Sequence, residues 1–223
     1  MNNPKTLLSI FYLLLLSFHS SLLLAQERPP NIVYILIDDL GWKDLGCYGS
    51  EFYETPNIDK LRAQGMKFTA AYSASPVCSP SRASILTGKN PANIGFTGHI
   101  TAIGKHRYPE EGRIIPPEDY MHVSLEEKMI PEILLQSNYT SASIGKWHVG
   151  EEEKYFPTHQ GFGINIAGYE HGSPPTYWGP FESEKSWNPV IKNLDNRAEG
   201  QYLTNRLTEE AIEFIGDNKE DPF

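Results

Sequence analysis

The run Ile32-Val33-Tyr34-Ile35-Leu36-Ile37 leads directly into two adjacent carboxylates, Asp38-Asp39. It is rich in β-branched residues and shows no apolar–polar alternation. A strand with one wet face would alternate, so this run is expected to be covered on both faces, as in a parallel sheet. Covering such a strand requires helices, and the downstream pattern supplies them. Thr55-Pro56-Asn57 opens one, with Thr55 as N-cap and Pro56 in the first position. Ile58 and Leu61 share its face and Gly65 closes it. Met66 to Tyr72 reads as a second strand, and a helix follows over about Ser81 to Leu86. Pro131 starts a helix carrying Ile133, Leu134 and Leu135, with Asn138 as its stop. Thr140 to Ile144 reads as a short strand. A last helix, about Gln201 to Ile215, carries a stripe of Leu203, Leu207, Ala211, Ile212 and Ile215. Asp221-Pro222-Phe223 stands where another strand is expected. Strands alternating with helices indicate an α/β architecture. Segments 89–123 and 161–190 are aperiodic and read as long surface loops of the kind that line a site.

The chain has 223 residues, enough for one domain with a sizeable core. Its net charge of −9 argues against a general nucleic-acid binder, which needs a basic face. An anionic small substrate stays possible, because a few cations can dominate a pocket. Residues 1–25 read as an export signal: Lys5, a mostly apolar Leu7–Leu24, and a cleavage site at Leu23-Leu24-Ala25 before Gln26. The alternative is an uncleaved anchor, but Ser17, His19, Ser20 and Ser21 interrupt the apolar stretch. Residues 26–30 read as a linker and 31–223 as the domain. No cysteine at the cleavage site offers a lipid anchor, and no second span follows. A periplasmic, secreted or, in a eukaryote, lysosomal location is expected. In that oxidising setting Cys47 and Cys78 could pair as a disulfide, and the sequence leaves this open. Asn138-Tyr139-Thr140 fits a glycosylation acceptor in a eukaryotic secretory pathway.

Three clusters follow predicted strands, where open α/β sheets place their sites. At Asp38-Asp39, adjacent carboxylates repel each other, and a divalent cation relieves the cost. Oxygen-only ligands favour Ca²⁺ over zinc, with Mg²⁺ second. The alternative is an N-cap and a solvated turn residue. Within Pro76-Val77-Cys78-Ser79-Pro80-Ser81-Arg82, Pro80 suits a first helical turn, which puts Cys78 near a helix N-terminus. The dipole, free N–H groups and Arg82 there suit a tetrahedral oxyanion. A thiolate nucleophile and a buried or paired cysteine are the other readings. At Gly145-Lys146-Trp147-His148, Lys146 can hold developing negative charge and His148 can exchange a proton near neutral pH. Trp147 is expected to pack beneath them.

Together the clusters are more specific than any one alone. NIVYILIDDLGW, YETPNIDKL, PVCSPSRASILTGK, IGKWHVG and HQGF at His159 to Phe162 resemble the type I sulfatase family from about Asn31 onward. The resemblance implies an alkaline-phosphatase-like α/β fold, a large, mainly parallel sheet flanked by helices. It implies a sulfuric ester hydrolase in which a separate formylglycine-generating enzyme oxidises Cys78 to formylglycine. One oxygen of the hydrated aldehyde attacks sulfur and expels the alcohol; the other expels sulfate and restores the aldehyde. Asp38, Asp39 and the residue at 78 would bind Ca²⁺. Arg82 would hold the formylglycine oxygen, Lys146 the sulfate and diol, and His148 the diol. Tyr48, Gly49 and Thr55 would shape the metal loop. The loops Gly98 to Tyr120 and Gly168 to Trp187, with Tyr169, Tyr177, Trp178 and His171, would form a rim for a sulfated carbohydrate. A phosphonate or phosphodiester hydrolase of the same superfamily is the nearest alternative. The family also has a second metal pair, a leaving-group histidine and a second lysine farther downstream, so an incomplete domain, or an inactive remnant, is expected.

Overall fold

Asn31, the chain's last residues and Thr140 meet side by side in the computed structural model. The Ile32 N–H donates to the Phe223 carbonyl at 2.7 Å, and the Thr140 N–H donates to the Pro222 carbonyl at 3.0 Å. The Phe223 N–H reaches Asn31 Oδ1 at 3.3 Å. Beyond Thr140 the chain enters strand β1, Ala142–Ile144, which pairs in parallel with β2, Ile164–Ile166. The register sets Ala142 opposite Ile164 and Ile144 opposite Ile166. The structure describes residues 28–100, 121–195 and 199–223. Residues 1–25, expected to act as an export signal, and most of the loop Gly98 to Tyr120 lie outside them.

Four α-helices are present among the described residues: α1 (Pro56–Gln64), α2 (Cys78–Thr87), α3 (Ile130–Leu135) and α4 (Leu203–Asn218), the last packed against β1. Pro56 stands at the start of α1 as expected, but the Thr55 side chain does not cap the helix. Its Oγ1 instead accepts the Gly46 N–H at 2.9 Å and donates to Asp59 Oδ1 at 3.1 Å. Asp59 in turn accepts the Cys47 N–H at 2.7 Å. Helix and preceding turn are thus locked to each other. Gly161 (φ +92°) lets its loop abut α3; a Cβ there would lie 2.5 Å from the Glu132 backbone nitrogen.

Two expected strands are absent. Ile32–Ile37 makes no ladder, and its side chains are 42–72% exposed. Among the described residues only Ile32, at its start, gains a backbone partner, and without neighbours a run can be neither paired nor covered. Met66–Tyr72 likewise joins no ladder; it is held to the 46–48 turn by the Tyr48 hydroxyl on the Phe68 carbonyl at 2.7 Å and by the Lys67 ammonium on the Cys47 carbonyl. The aperiodic segments, in contrast, supply much of the core. Ile94, Phe96, Ile100, Val123, Ala167, Tyr169 and Phe181 are buried in one cluster with Met129, Trp147 and Leu203. Their spacing follows irregular backbone rather than a helical or strand period, which is why they read as surface loops. In α4, Leu203 is buried and Leu207 packs against the core, but Ile212 is 64% exposed. Phe214 takes its place, edge-on to Phe223 at 5.8 Å.

His148 is buried inside this core and ties three segments together. Its Nε2 pairs with the Ile100 carbonyl at 3.0 Å, its Nδ1 with Ser79 Oγ at 3.3 Å, and its N–H with the Tyr169 carbonyl at 3.1 Å. Burial pushes its pKa from 6.5 down to about 3, against the raising effect of the Ile100 bond. The sequence suggests proton exchange near neutral pH at His148; burial in these surroundings favours the neutral imidazole instead.

Truncating Phe181 to Ala is expected to cost about 3–5 kcal/mol in denaturant unfolding. Ile212→Ala should stay within about 0.5 kcal/mol. The unfolded His148 binds a proton below 6.5 and the folded one only near 3, so the unfolded state holds more protons between these values. Its contribution to stability is whole above 6.5 and is lost as the pH falls toward 3. Burial depresses His122 and His171 in the same sense. Melting temperature should therefore drop between pH 6.5 and about 5, above the carboxylate range, and drop less in His148→Gln.

Candidate active site

Cys78 is the first residue of α2, preceded by an extended Val77 and followed by buried Ser79 and Pro80. The helix starts three residues earlier than the sequence suggests, because Pro80 is tolerated throughout a first turn. Cys78 and Cys47 are both free thiols, so the disulfide alternative is not realised. Cys78 Sγ lies 3.5 Å from His148 Nδ1. Ser79 Oγ accepts the Ile100 N–H at 3.2 Å and faces the same Nδ1. With Nε2–H donated to the Ile100 carbonyl, Nδ1 presents a lone pair to the cysteine.

Arg82, one turn along α2, joins the other two clusters. Its Nη1 donates to the Lys146 carbonyl at 2.6 Å and its Nη2 to Asp38 Oδ1 at 3.0 Å. Lys146 Nζ donates to Asp38 Oδ2 at 2.5 Å. Burial opposes ionisation of Asp38, but the bonds and charges of Lys146 and Arg82 prevail and hold it below the ordinary carboxylate value. Gly145 (φ 97°) and His148 (φ 57°) turn the backbone after β1, so that Lys146 faces Asp38 while His148 points inward. Trp147 packs beneath as expected, its Nε1 donating to the Tyr155 carbonyl at 2.9 Å.

Asp39 is left-handed at φ 56°, a conformation that costs energy for a residue with a side chain and marks a position worth a functional reading. No hydrogen bond or ion pair among the described residues engages its carboxylate. Asp38 and Asp39 line a cleft of about 410 Å³ with Asp44, Glu54 and Thr55. Tyr48 and Gly49 close the turn beside it: Gly49 is left-handed at φ 100°, and the Lys67 ammonium bonds the Cys47 carbonyl at 2.6 Å.

The structure thus brings Asp38, Cys78, Arg82, Lys146 and His148 together, with Asp39 adjacent. The rim is only partly as expected. Tyr177 and Trp178 are exposed, but Tyr169 is buried, its hydroxyl held by Asn188 at 2.7 Å, and cannot stack on a ligand. His171 sits edge-on between Tyr169 and Trp187. Gly172 lies against the same cluster, where a Cβ would approach His148 Cε1 to 2.5 Å. Two residues escaped the sequence reading. Ser79 was legible as part of the cysteine motif; His99, whose ring lies 4.7 Å from that of His148, stands in an aperiodic segment and gave no signal.

A family model described as Sulfatase matches residues 30–223. N-acetylgalactosamine-6-sulfatase of Mus musculus is 37% identical over 216 residues, covering 91% of this chain and 39% of that protein. Among solved structures, Ps i-CgsB superposes with a TM-score of 0.71 at 30% identity, covering 88% of this chain and 44% of that one. BT4656, solved with its substrate D-glucosamine-2-N,6-O-disulfate, gives a TM-score of 0.62 at 26% identity over 88% and 33% of the two chains. The chain therefore spans about two fifths of the length of the curated relative. The fold is the alkaline-phosphatase-like α/β arrangement of these proteins, of whose sheet the described residues carry β1 and β2. With a match that takes in nearly everything after residue 29, this chain belongs to the sulfatase family.

Proposed function

We propose that the protein hydrolyses the sulfate monoester of a sulfated carbohydrate, using residue 78 in its formylglycine form. The observation that carries this reading is the pairing of Asp38 with Arg82 and Lys146 on the helix and turn that also bring Cys78 against His148. The names of the relatives support it: one is a sulfatase of N-acetylgalactosamine, and another is solved with a sulfated glucosamine. Conversion of Cys78 falls to a formylglycine-generating enzyme. Residues 1–25 direct export, with cleavage before Gln26.

Each residue has a role its position allows. Cys78 lies at a helix N-terminus with its Sγ 3.5 Å from His148 Nδ1; with a hydrated aldehyde at this position, Nδ1 would accept a hydrogen bond from one hydroxyl and orient it toward sulfur. A neutral imidazole does this without a competing proton. Arg82 holds the geminal oxygen, and Lys146 neutralises charge on the sulfate as it develops. Both are now held by Asp38, so the site keeps its cations pre-paired and oriented until an anion arrives. The oxygen-rich cleft at Asp38 and Asp39, with an unengaged Asp39 carboxylate, suits a hard cation such as Ca²⁺. Two carboxylates and residue 78 supply part of a shell of 6–8 oxygens. The bound ion would supply Lewis-acid polarisation of a sulfate oxygen.

Peptide mapping of the mature protein is expected to find an aldehyde in place of the thiol at residue 78 and a new N-terminus at Gln26. The matured full chain should hydrolyse an aryl sulfate faster than an aryl phosphodiester, and Lys146→Ala should lower kcat about 10²–10³-fold. Dominant phosphodiester turnover would assign the main activity to the phosphodiesterase branch. Stripping divalent ions with EGTA should abolish turnover and added Ca²⁺ restore it; full activity in EGTA would exclude the cation role of Asp38 and Asp39.

A further inference from the structure

Among the described residues, Cys78, His99 and His148 group one sulfur and two imidazole nitrogens, a donor set distinct from the oxygens of the carboxylate cleft. Their ligand atoms all lie within 4.8 Å of one another. We propose that, whenever residue 78 remains a thiol, these three side chains bind a thiophilic divalent metal, Zn²⁺ foremost. The inference concerns the cysteine form of the folded chain and stands whether or not the converted form hydrolyses sulfate.

Three observations carry it. First, the Cys78 Sγ to His148 Nδ1 separation is 3.5 Å. Zn–S and Zn–N bonds of about 2.3 and 2.0 Å at a tetrahedral angle require a separation of about 3.5 Å. Second, His148 already has the outer contact of a metal ligand. Its far nitrogen donates to the Ile100 carbonyl at 3.0 Å, which fixes the tautomer and leaves Nδ1 as the coordinating lone pair. Third, His99 is exposed beside the ring of His148, with centroids 4.7 Å apart at 75°. Its ligand nitrogen already lies within 4.8 Å of the other two ligand atoms.

The donor set also separates this site from the carboxylate cleft. One sulfur and two imidazoles select zinc or cobalt, whereas Asp38 and Asp39 offer only hard oxygen. As the Zn–S bond forms, the Cys78 thiol gives its proton to solvent, and the metal displaces the Ser79 hydroxyl from Nδ1. The thiolate charge offsets part of the metal's own, and Asp38 occupies the two nearby cations, Arg82 and Lys146. Three protein ligands leave the fourth position to water. Oxidation of Cys78 to an aldehyde removes the sulfur and with it the site, so metal capture marks chains that folded unconverted.

The test uses the full chain made in a host that leaves Cys78 a thiol, titrated with Co²⁺ as a coloured stand-in for Zn²⁺. A near-ultraviolet thiolate-to-cobalt band should grow to one equivalent, vanish on adding Zn²⁺ and persist in excess Ca²⁺. Cys78→Ser should abolish it and Cys47→Ser leave it unchanged. His99→Ala, at an exposed position, should weaken Co²⁺ binding at least as much as loss of an outer-shell partner does, about 10–100-fold, with the parent's melting temperature retained. No band in the parent chain, a band lost in Cys47→Ser, or unchanged affinity in His99→Ala would each overturn the proposal.

Discussion

A buried guanidinium has to be met by negative charge or by well-placed acceptors, because removing it from water costs several kcal/mol. Arg82, 9% exposed, meets that requirement with the Asp38 carboxylate and the Lys146 carbonyl. The rest of the centre follows from this demand. The end of the first apolar run must come over α2, and the turn after β1 must present its backbone to the same helix. Three stretches far apart in sequence are thereby drawn to one point. Asp38 then has an oxygen left for Lys146.

On the other side of Cys78 the chemistry is of the opposite kind. Ser79, Ile100 and His148 make a buried, neutral hydrogen-bonded group, and burial keeps it neutral. Residue 78 thus stands on a border between paired ions and an uncharged imidazole. A group that must present one oxygen to a cation and another to a lone pair is suited to that border. So, in its unmodified state, is a sulfur standing 3.5 Å from an imidazole nitrogen.

The clusters were legible because each is short, contiguous and placed where a strand gives way to a turn. Asp38, Cys78, Arg82, Lys146 and His148 converge as their chemistry suggests. Most of the surrounding core was not legible. Phe96, Ile100, Tyr169 and Phe181 are buried from irregular segments that have no period to detect. β2 is only three residues long, too short to register as a pattern. The charge state of His148 depends on what covers it, a tertiary property that no local motif encodes. The run Ile32–Ile37 shows the converse: its composition expresses a need for neighbours on both faces, and only Ile32 meets a backbone partner among the described residues.

Gly172 occupies a position where the ring of His148 leaves space for nothing larger than hydrogen. The flanking His171 is held as well, edge-on between Tyr169 and Trp187, so position 172 acts as a fixed pivot in a packed stretch. Any methyl introduced there would pry the segment off the imidazole and open the centre to water.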